Sequence, residues 1–164
     1  MIKIYVDADG CPVKNEVYRV ARRYGLSVHV VANSGLRIPQ EALFELVVVH
    51  DGPDAADDWI VEHINENDIA VSADIPLAAR CVKKGARILD PRGRVFTEES
   101  IGGALATRDL MTYLRETGNI TKGPAPFEKR DRSRFLRHLD ELVHAALRAD
   151  RQPLVVGPSN SSTT

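Results

Sequence analysis

Short apolar runs alternate along the chain with segments whose apolar residues recur every three or four positions. The runs predict β-strands, and the recurring positions predict amphipathic helices between them. The predicted strands cover residues 2–7, 27–32, 46–50, 68–73 and 86–89, with a short edge strand at 94–96. The predicted helices cover residues 13–24, 55–67, 76–84, 98–117 and 131–149. This alternation favours an α/β fold with a mostly parallel central sheet that helices cover on both faces.

Two details of this pattern concern the position of one strand and the extent of the domain. The run LVVVH at 46–50 is apolar on both faces, which is typical of a strand in the middle of a parallel sheet. A length of 164 residues suits one domain with a full-sized core, and we expect that domain to occupy residues 1–149. The remaining residues, 150–164, are mostly small and polar, and we expect them to be disordered.

Composition and the apolar pattern indicate the cellular compartment in which the protein is expected. The two cysteines, Cys11 and Cys81, are too few and too distant for a disulfide framework or a zinc-ligand pattern, so a reducing compartment is expected. The first residues lack a signal-peptide pattern, and no apolar run approaches the roughly 18 residues that span a membrane. We therefore expect a cytoplasmic protein that does not bind membranes.

The formal net charge of −1 conceals a strong asymmetry. Residues 47–75 contain eight acidic and no basic residues, whereas residues 76–164 contain sixteen basic and ten acidic residues. An acidic centre beside a basic C-terminal half favours a metal site next to a surface that binds a polyanion. A solvated acidic helix with ordinary basic surface residues is the alternative interpretation of the same charges.

Aspartates follow most of the predicted parallel strands. Asp7 and Asp9 end the first strand, Asp54 and Asp57 begin the helix after the third, and Asp74 ends the fourth. Because the carboxyl ends of parallel strands lie at one edge of a sheet, these five carboxylates are expected to meet there. Carboxylate oxygens are ligands for hard cations, so we predict a site for Mg²⁺ or Mn²⁺. Aspartate is also a common turn and helix-capping residue, which is the competing explanation.

Helix phase distinguishes Asp57 from its neighbour Asp58. Ile60, Val61 and Ile64 mark the apolar side of the predicted helix, and Asp57 lies on that side while Asp58 lies on the flank. A carboxylate in line with a buried stripe must be desolvated and needs a strong partner, which a metal ion can provide.

Other residues have candidate roles around these acids. Ser72, two residues before Asp74, could orient a carboxylate or a water. Cys11 has no histidine near it in sequence to act as a base and is expected to be a packed residue. Residues expected to contact nucleic acid are Lys14, Arg92, Arg108, Lys122, Lys129, Arg130 and Arg132.

The motifs that carry these residues are VDADGCPVK at 6–14, DAADDWIVEHI at 54–64, SADIPLA at 72–78, LDPRGR at 89–94, GPAPF at 123–127 and DRSRF at 131–135. Together they resemble the YaiI/YqxD family of bacterial proteins over about residues 1–148. That family looks like a member of the PIN-like and NYN nuclease group. The resemblance implies a Rossmann-like, three-layer fold and metal-dependent cleavage of RNA, with Asp7, Asp57 and Asp74 as catalytic acids. Asp9 and Asp54 match the family's own motifs.

Two alternatives to a nuclease remain open. The segment VDADG also resembles the strand-end motif of haloacid-dehalogenase-like phosphatases, in which Asp7 would be the nucleophile. Cys11 stands where that motif expects threonine or valine. The other alternative is a non-catalytic RNA-binding or adaptor protein that retains the fold.

Overall fold

The computed structural model describes residues 1–120, 123 and 125–151. Its strands are β1 Lys3–Asp7, β2 Ser27–Ala32, β3 Phe44–Val48, β4 Ile69–Val71, β5 Arg87–Leu89 and β6 Val95–Phe96. Its helices are α1 Lys14–Tyr24, α2 Ala55–His63, α3 Ile75–Lys83, α4 Glu98–Glu116 and α5 Lys129–Arg151. Each predicted strand and helix is present, and α2 and β4 are shorter than predicted. Residues 150 and 151 belong to α5, so the predicted tail does not begin there, and residues 152–164 lie outside the described residues.

The six strands form one sheet in the order β3-β2-β1-β4-β5-β6. Neighbouring strands from β3 to β5 pair in parallel, and the short β6 pairs antiparallel with β5. The prediction that the third strand is central is wrong, because β3 forms an edge of the sheet. Its residues are nevertheless apolar on both faces, since Leu46 packs against one core and Val47 against the other.

Helices cover both faces of the sheet and confirm the predicted Rossmann-like, three-layer α/β architecture. On one face, Val17 of α1 and Phe135 of α5 lie in a core with β1 and β2. On the other face, Ile60 of α2, Leu77 of α3 and Ala104 of α4 lie in a second core. The strands are therefore buried from both sides, as expected for a parallel sheet.

Local sequence signals set the helix ends that matter for the site. Gly25 ends α1 with a left-handed φ of 67°, which glycine adopts without steric cost. Asp74 caps the start of α3, and Thr97 caps α4 in a reciprocal box with Ser100. None of the helices in the described part of the chain is long and apolar enough to cross a membrane.

Candidate functional site

The site lies where the chain reverses its direction of travel across the sheet. From β1 the chain proceeds outwards through β2 to β3, and it then returns to add β4 and β5 on the other side of β1. The carboxyl ends of β1 and β4 therefore flank a topological switch point, the usual ligand site of an open α/β sheet. Asp7 is the last residue of β1, and Ser72 directly follows β4.

Ser72 connects two of the predicted acids. Its buried hydroxyl donates a hydrogen bond to Oδ2 of Asp7 at 2.8 Å and accepts one from the backbone N–H of Asp74 at 2.9 Å. Oδ1 of Asp74 in turn accepts the backbone N–H of Leu77 at 2.9 Å, which caps α3. The expectation that Ser72 orients a carboxylate is confirmed, and one oxygen of each acid is held in a fixed direction.

Asp7 is half-buried among groups that oppose its ionisation. Burial is the main cause of a pKa raised above the ordinary aspartate value, and the hydrogen bond from Ser72 acts in the opposite direction. The negative charges of Asp74 and Asp9 raise the pKa further.

Asp57 is the most strongly perturbed carboxyl group of the site. Burial, followed by the charges of Asp74, Asp7 and Asp54 and a side-chain hydrogen bond to Asp74, raises its pKa to about 7. As helix phase predicts, Asp57 is half-buried, whereas Asp58 is exposed and pairs with Arg80 at 2.8 Å. Asp7, Asp57 and Asp74 thus interact mutually, and we call them the switch-point carboxylates.

Asp9 and Asp54 lie at the margin of this group. Both are exposed, and Oδ2 of Asp9 accepts the backbone N–H of Asn33 at 3.1 Å, beyond the end of β2. Asp54 occupies the N-cap position of α2, but its side chain makes no capping hydrogen bond. Each contributes negative charge to one switch-point carboxylate, Asp9 to Asp7 and Asp54 to Asp57.

The carboxylates are not arranged as a complete ligand cage. Within residues 1–120, 123 and 125–151, no group of three or more His, Cys, Asp or Glu side chains is placed to hold a metal ion. The donor set is nevertheless made of oxygen atoms, which suits a hard divalent cation. Mg²⁺ is commonly bound by one or two carboxylates together with water and substrate phosphates, and such a site needs no cage of three protein ligands.

Two predicted phosphate-binding arginines form ion pairs with acidic residues of the same chain. Arg92 lies 3.1 Å from the buried Asp131, and Arg132 lies 2.9 Å from Glu16. Both guanidinium groups also lie over the ring of Phe127, at 5.8 and 5.1 Å from its centre. These contacts hold the segment before α5 against the body of the fold, and a role in RNA binding stays a prediction.

Three further basic candidates lie just after the loop that follows β1 or at the start of α5. Lys14 donates to the carbonyl oxygens of Cys11 at 2.9 Å and Ala8 at 3.3 Å, in the loop that follows β1. Lys129 and Arg130 are exposed at the start of α5, and Arg130 pairs with Glu128 at 2.8 Å.

Two further candidates complete the set. Arg108 is exposed on α4 beside Asp109, and Lys122 lies outside the described residues.

The structure also reveals groups that the sequence pattern did not single out. Asp68 and Asp131 are buried carboxylates with internal donors. Asp131 precedes Phe135 and Leu139 by four and eight residues, so helix phase places it on the buried face of α5 and could have identified it. Cys11 is buried, as expected, and burial is the main cause of a raised thiol pKa. A thiolate nucleophile is therefore disfavoured at this position.

Comparisons with known proteins place the chain among relatives of similar length. A family model described as "Uncharacterized BCR, YaiI/YqxD family" matches residues 5–145. A UPF0178 protein of Paramagnetospirillum magneticum is 58% identical over 148 residues, which cover 90% of this chain and 98% of the relative. A UPF0178 protein of Rhodopseudomonas palustris is 56% identical over 153 residues, covering 93% and 97% of the two chains. No solved structure shows a significant match. The family match includes part or all of each of the six strands and all three switch-point carboxylates. The chain therefore belongs to the YaiI/YqxD family.

Proposed function

We propose that this protein is a divalent-metal-dependent phosphodiesterase that acts on RNA through the switch-point carboxylates. The observation that carries the proposal is the convergence of Asp7, Asp57 and Asp74 at the switch point, where burial and the charges of neighbouring acids raise the pKa of Asp57 to about 7. Perturbed acids that cluster in a ligand-binding crevice are characteristic of catalytic sites. RNA as the substrate is supported by the resemblance to PIN-like nucleases and by the basic C-terminal half of the chain.

The crowding of Asp7, Asp57 and Asp74 suggests which residues would hold a cation. A proton on Asp57 reduces the repulsion that Asp74 and Asp7 exert on it. A divalent cation held by Asp7 and Asp74 would also reduce the repulsion among the three acids, with water and a substrate phosphate as its other ligands. When bound, the metal would stabilise charge on the phosphoryl oxygens and lower the pKa of a coordinated water.

The residues themselves have distinct tasks in this proposal. Asp57 with a pKa of about 7 is present in both protonation states at neutral pH, so it can accept a proton from the attacking water or donate one to the leaving oxygen. Ser72 and the N–H of Leu77 hold one oxygen of Asp7 and of Asp74, respectively, and the second oxygen of each would bind the ligand. The geometry thus supplies a proton carrier beside two oriented acceptors.

The test compares three aspartate-to-asparagine variants in a cleavage assay with a labelled RNA and Mn²⁺ or Mg²⁺. Asp57→Asn and Asp74→Asn should each lower kcat by about 100-fold or more, because each removes a carboxylate of the site. Asp58→Asn is the matched control, since Asp58 lies next to Asp57 but pairs with Arg80 at the surface. It should cleave RNA at the wild-type rate.

Two results would contradict the proposal. The first is cleavage by Asp57→Asn at the wild-type rate. The second is tight RNA binding without cleavage by the wild-type protein under either cation, which would support the non-catalytic RNA-binding alternative.

A further inference from the structure

Helix α4 runs antiparallel to α3 along its first half. Thr97 and Glu98, at the start of α4, line the same groove as Val82 and Gly85, at the end of α3. Ala104 of α4 lies with Leu77 and other α3 residues in one core. Following α4 therefore leads from the end of α3 back towards its start, where Asp74 caps it beside the site.

The two helices differ greatly in length. Helix α3 has nine residues and α4 has nineteen, so at 1.5 Å per residue they are about 13 Å and about 28 Å long. The last ten residues of α4, 107–116, thus extend about 15 Å beyond the start of α3, on the side of the sheet where the switch-point carboxylates lie. We call residues 107–116 the α4 overhang.

Most of the overhang is exposed within the described part of the chain. Leu110 and Tyr113 are 55% and 60% exposed, although residues of their size are usually buried when a packing partner is present. Ala104 is the last residue of α4 that is buried. A helix that continues for three turns past its last buried residue needs another reason for being retained there.

Helix phase places two arginines of the overhang on the same side of α4 as Ile101. Ile101 packs against the core shared with α3, and Arg108 and Arg115 follow it by seven and fourteen residues, about two and four turns later. Asp109 and Glu116 each come one residue after an arginine, so they lie about 100° around the helix from it. The α3-facing side of the overhang therefore carries the positive charges, and the acidic residues are on its flank.

We infer that the α4 overhang binds the phosphate backbone of single-stranded RNA through Arg108 and Arg115 and leads it to the switch-point carboxylates. The inference rests on the proposed function for its choice of RNA. Three acidic groups repel a polyanion, so positive charge adjacent to them is needed to hold a phosphate chain near the site. The guanidinium group suits this task, because its planar fork can donate to two phosphate oxygens at once.

The test measures binding in EDTA, so that no cleavage contributes to the result. Binding of a fluorescein-labelled single-stranded RNA is followed by anisotropy over a range of KCl concentrations for the wild type and for the double variant Arg108→Ala/Arg115→Ala. Loss of two phosphate contacts should reduce the slope of log K against log[KCl] by about 1.4 and weaken binding several-fold at low salt. The control, Arg19→Ala/Arg148→Ala, removes two exposed arginines of α1 and α5 and changes the net charge equally. It should retain the wild-type slope.

Asp109 provides a variant of opposite sign. Its carboxylate lies 3.3 Å from the guanidinium of Arg108 and competes with phosphate for it. Asp109→Asn should therefore tighten RNA binding, provided that Arg108 is one of the phosphate ligands.

Equal salt slopes for the overhang and control variants would overturn the inference, and so would a wild-type protein that does not bind RNA. Because binding is measured without turnover, this result is independent of the cleavage assay. If the protein binds RNA through both arginines but does not cleave it, the proposed function is refuted and the inference about the overhang stands. If the protein cleaves RNA but its binding does not depend on the arginines, the proposed function stands and the inference is refuted.

Discussion

Two groups of carboxylates in this molecule are removed from water to different degrees, and their surroundings differ. The first group is Asp68 and Asp131, and the second is the switch-point carboxylates. Asp68, at 3% exposure, accepts the backbone N–H groups of Lys3 and Asn65, each at 2.9 Å. Asp131, at 6% exposure, accepts the N–H of Glu128 at 2.9 Å and pairs with Arg92 at 3.1 Å. Asp68 and Asp131 are thus each matched by hydrogen-bond donors, and each connects its own segment to one that is distant in sequence.

The switch-point carboxylates lack such a balance. Asp7 and Asp74 each accept one hydrogen bond from the protein. Burial, followed by repulsion from Asp74, Asp7 and Asp54, raises the pKa of Asp57 to about 7. A group of like charges that costs stability is retained where something other than stability is selected. Asp68 and Asp131 therefore hold the fold together, whereas the repulsion among the switch-point carboxylates supports the proposed metal site.

The largest expected effect comes from removing a matched carboxylate. Asp131→Ala leaves the guanidinium of Arg92 without its buried partner and the N–H of Glu128 without its acceptor. Only Asp131 is buried, and Arg92 is 35% exposed, so the loss comes mainly from the vacated buried carboxylate and its unpaired donors. The substitution should lower the free energy of unfolding by about 2 to 3 kcal/mol, measured by urea denaturation. Asp109→Ala is the control, because its side chain is 72% exposed, and it should change the free energy by less than about 0.5 kcal/mol. A loss no greater than that of the control would remove the distinction between the two regions.

A smaller effect of opposite sign is expected at the switch point. The pKa of Asp57 rises from 3.8 to about 7 on folding, so between these values the folded protein holds a proton that the unfolded chain has released. Stability contributed by this group is therefore complete below about pH 4 and is lost as the pH rises towards about 7. Asp57→Asn removes the repelled negative charge at every pH, so it should be more stable than the wild type by about 2 kcal/mol at about pH 8, after allowance for solvent screening.

Denaturant unfolding of both proteins at several pH values tests this expectation. The two free energies of unfolding should converge on acidification, and the wild-type value should decrease more steeply with pH. Some dependence should remain in Asp57→Asn, because the pKa of Asp7 is also raised. Asp58→Asn, which alters only a surface pair, should follow the wild-type curve within about 0.5 kcal/mol. Parallel curves for the wild type and Asp57→Asn would show that Asp57 is not a repelled carboxylate.

The two regions also differ in how far the sequence could predict them. Asp7, Asp57 and Asp74 were identifiable because strand ends and helix phase are local properties, readable from a few neighbouring residues. The partners of Asp131 and Arg132 were not identifiable, since Arg92 precedes Asp131 by 39 residues and Glu16 precedes Arg132 by 116. The sequence does not show whether an arginine or a lysine already forms an ion pair with a carboxylate of the folded chain.

The misplaced third strand and the α4 overhang have a similar cause. Apolar residues on both faces of β3 indicate that helices cover it, but they do not indicate which strands lie beside it in the sheet. The pattern of α4 predicted a helix with the correct ends to within one residue. Its extension beyond the site could not be predicted, because it depends on how α4 is aligned with the shorter α3.

The smallest expected effect separates a cation site from a simple acidic cluster. Mg²⁺ or Mn²⁺ at about ten times its dissociation constant should add about 1.4 kcal/mol to the free energy of unfolding at about pH 8, as mass action requires. At about pH 5.5 the gain should be much smaller, because the raised pKa values of Asp7 and Asp57 let protons compete with the cation. Thermal melting at matched ionic strength measures both gains, with Asp74→Asn as the variant that should lose the gain and Asp58→Asn as the one that should keep it. A gain that is equal at both pH values, or that survives Asp74→Asn, would mean that the cation binds elsewhere and that the switch-point carboxylates hold only protons.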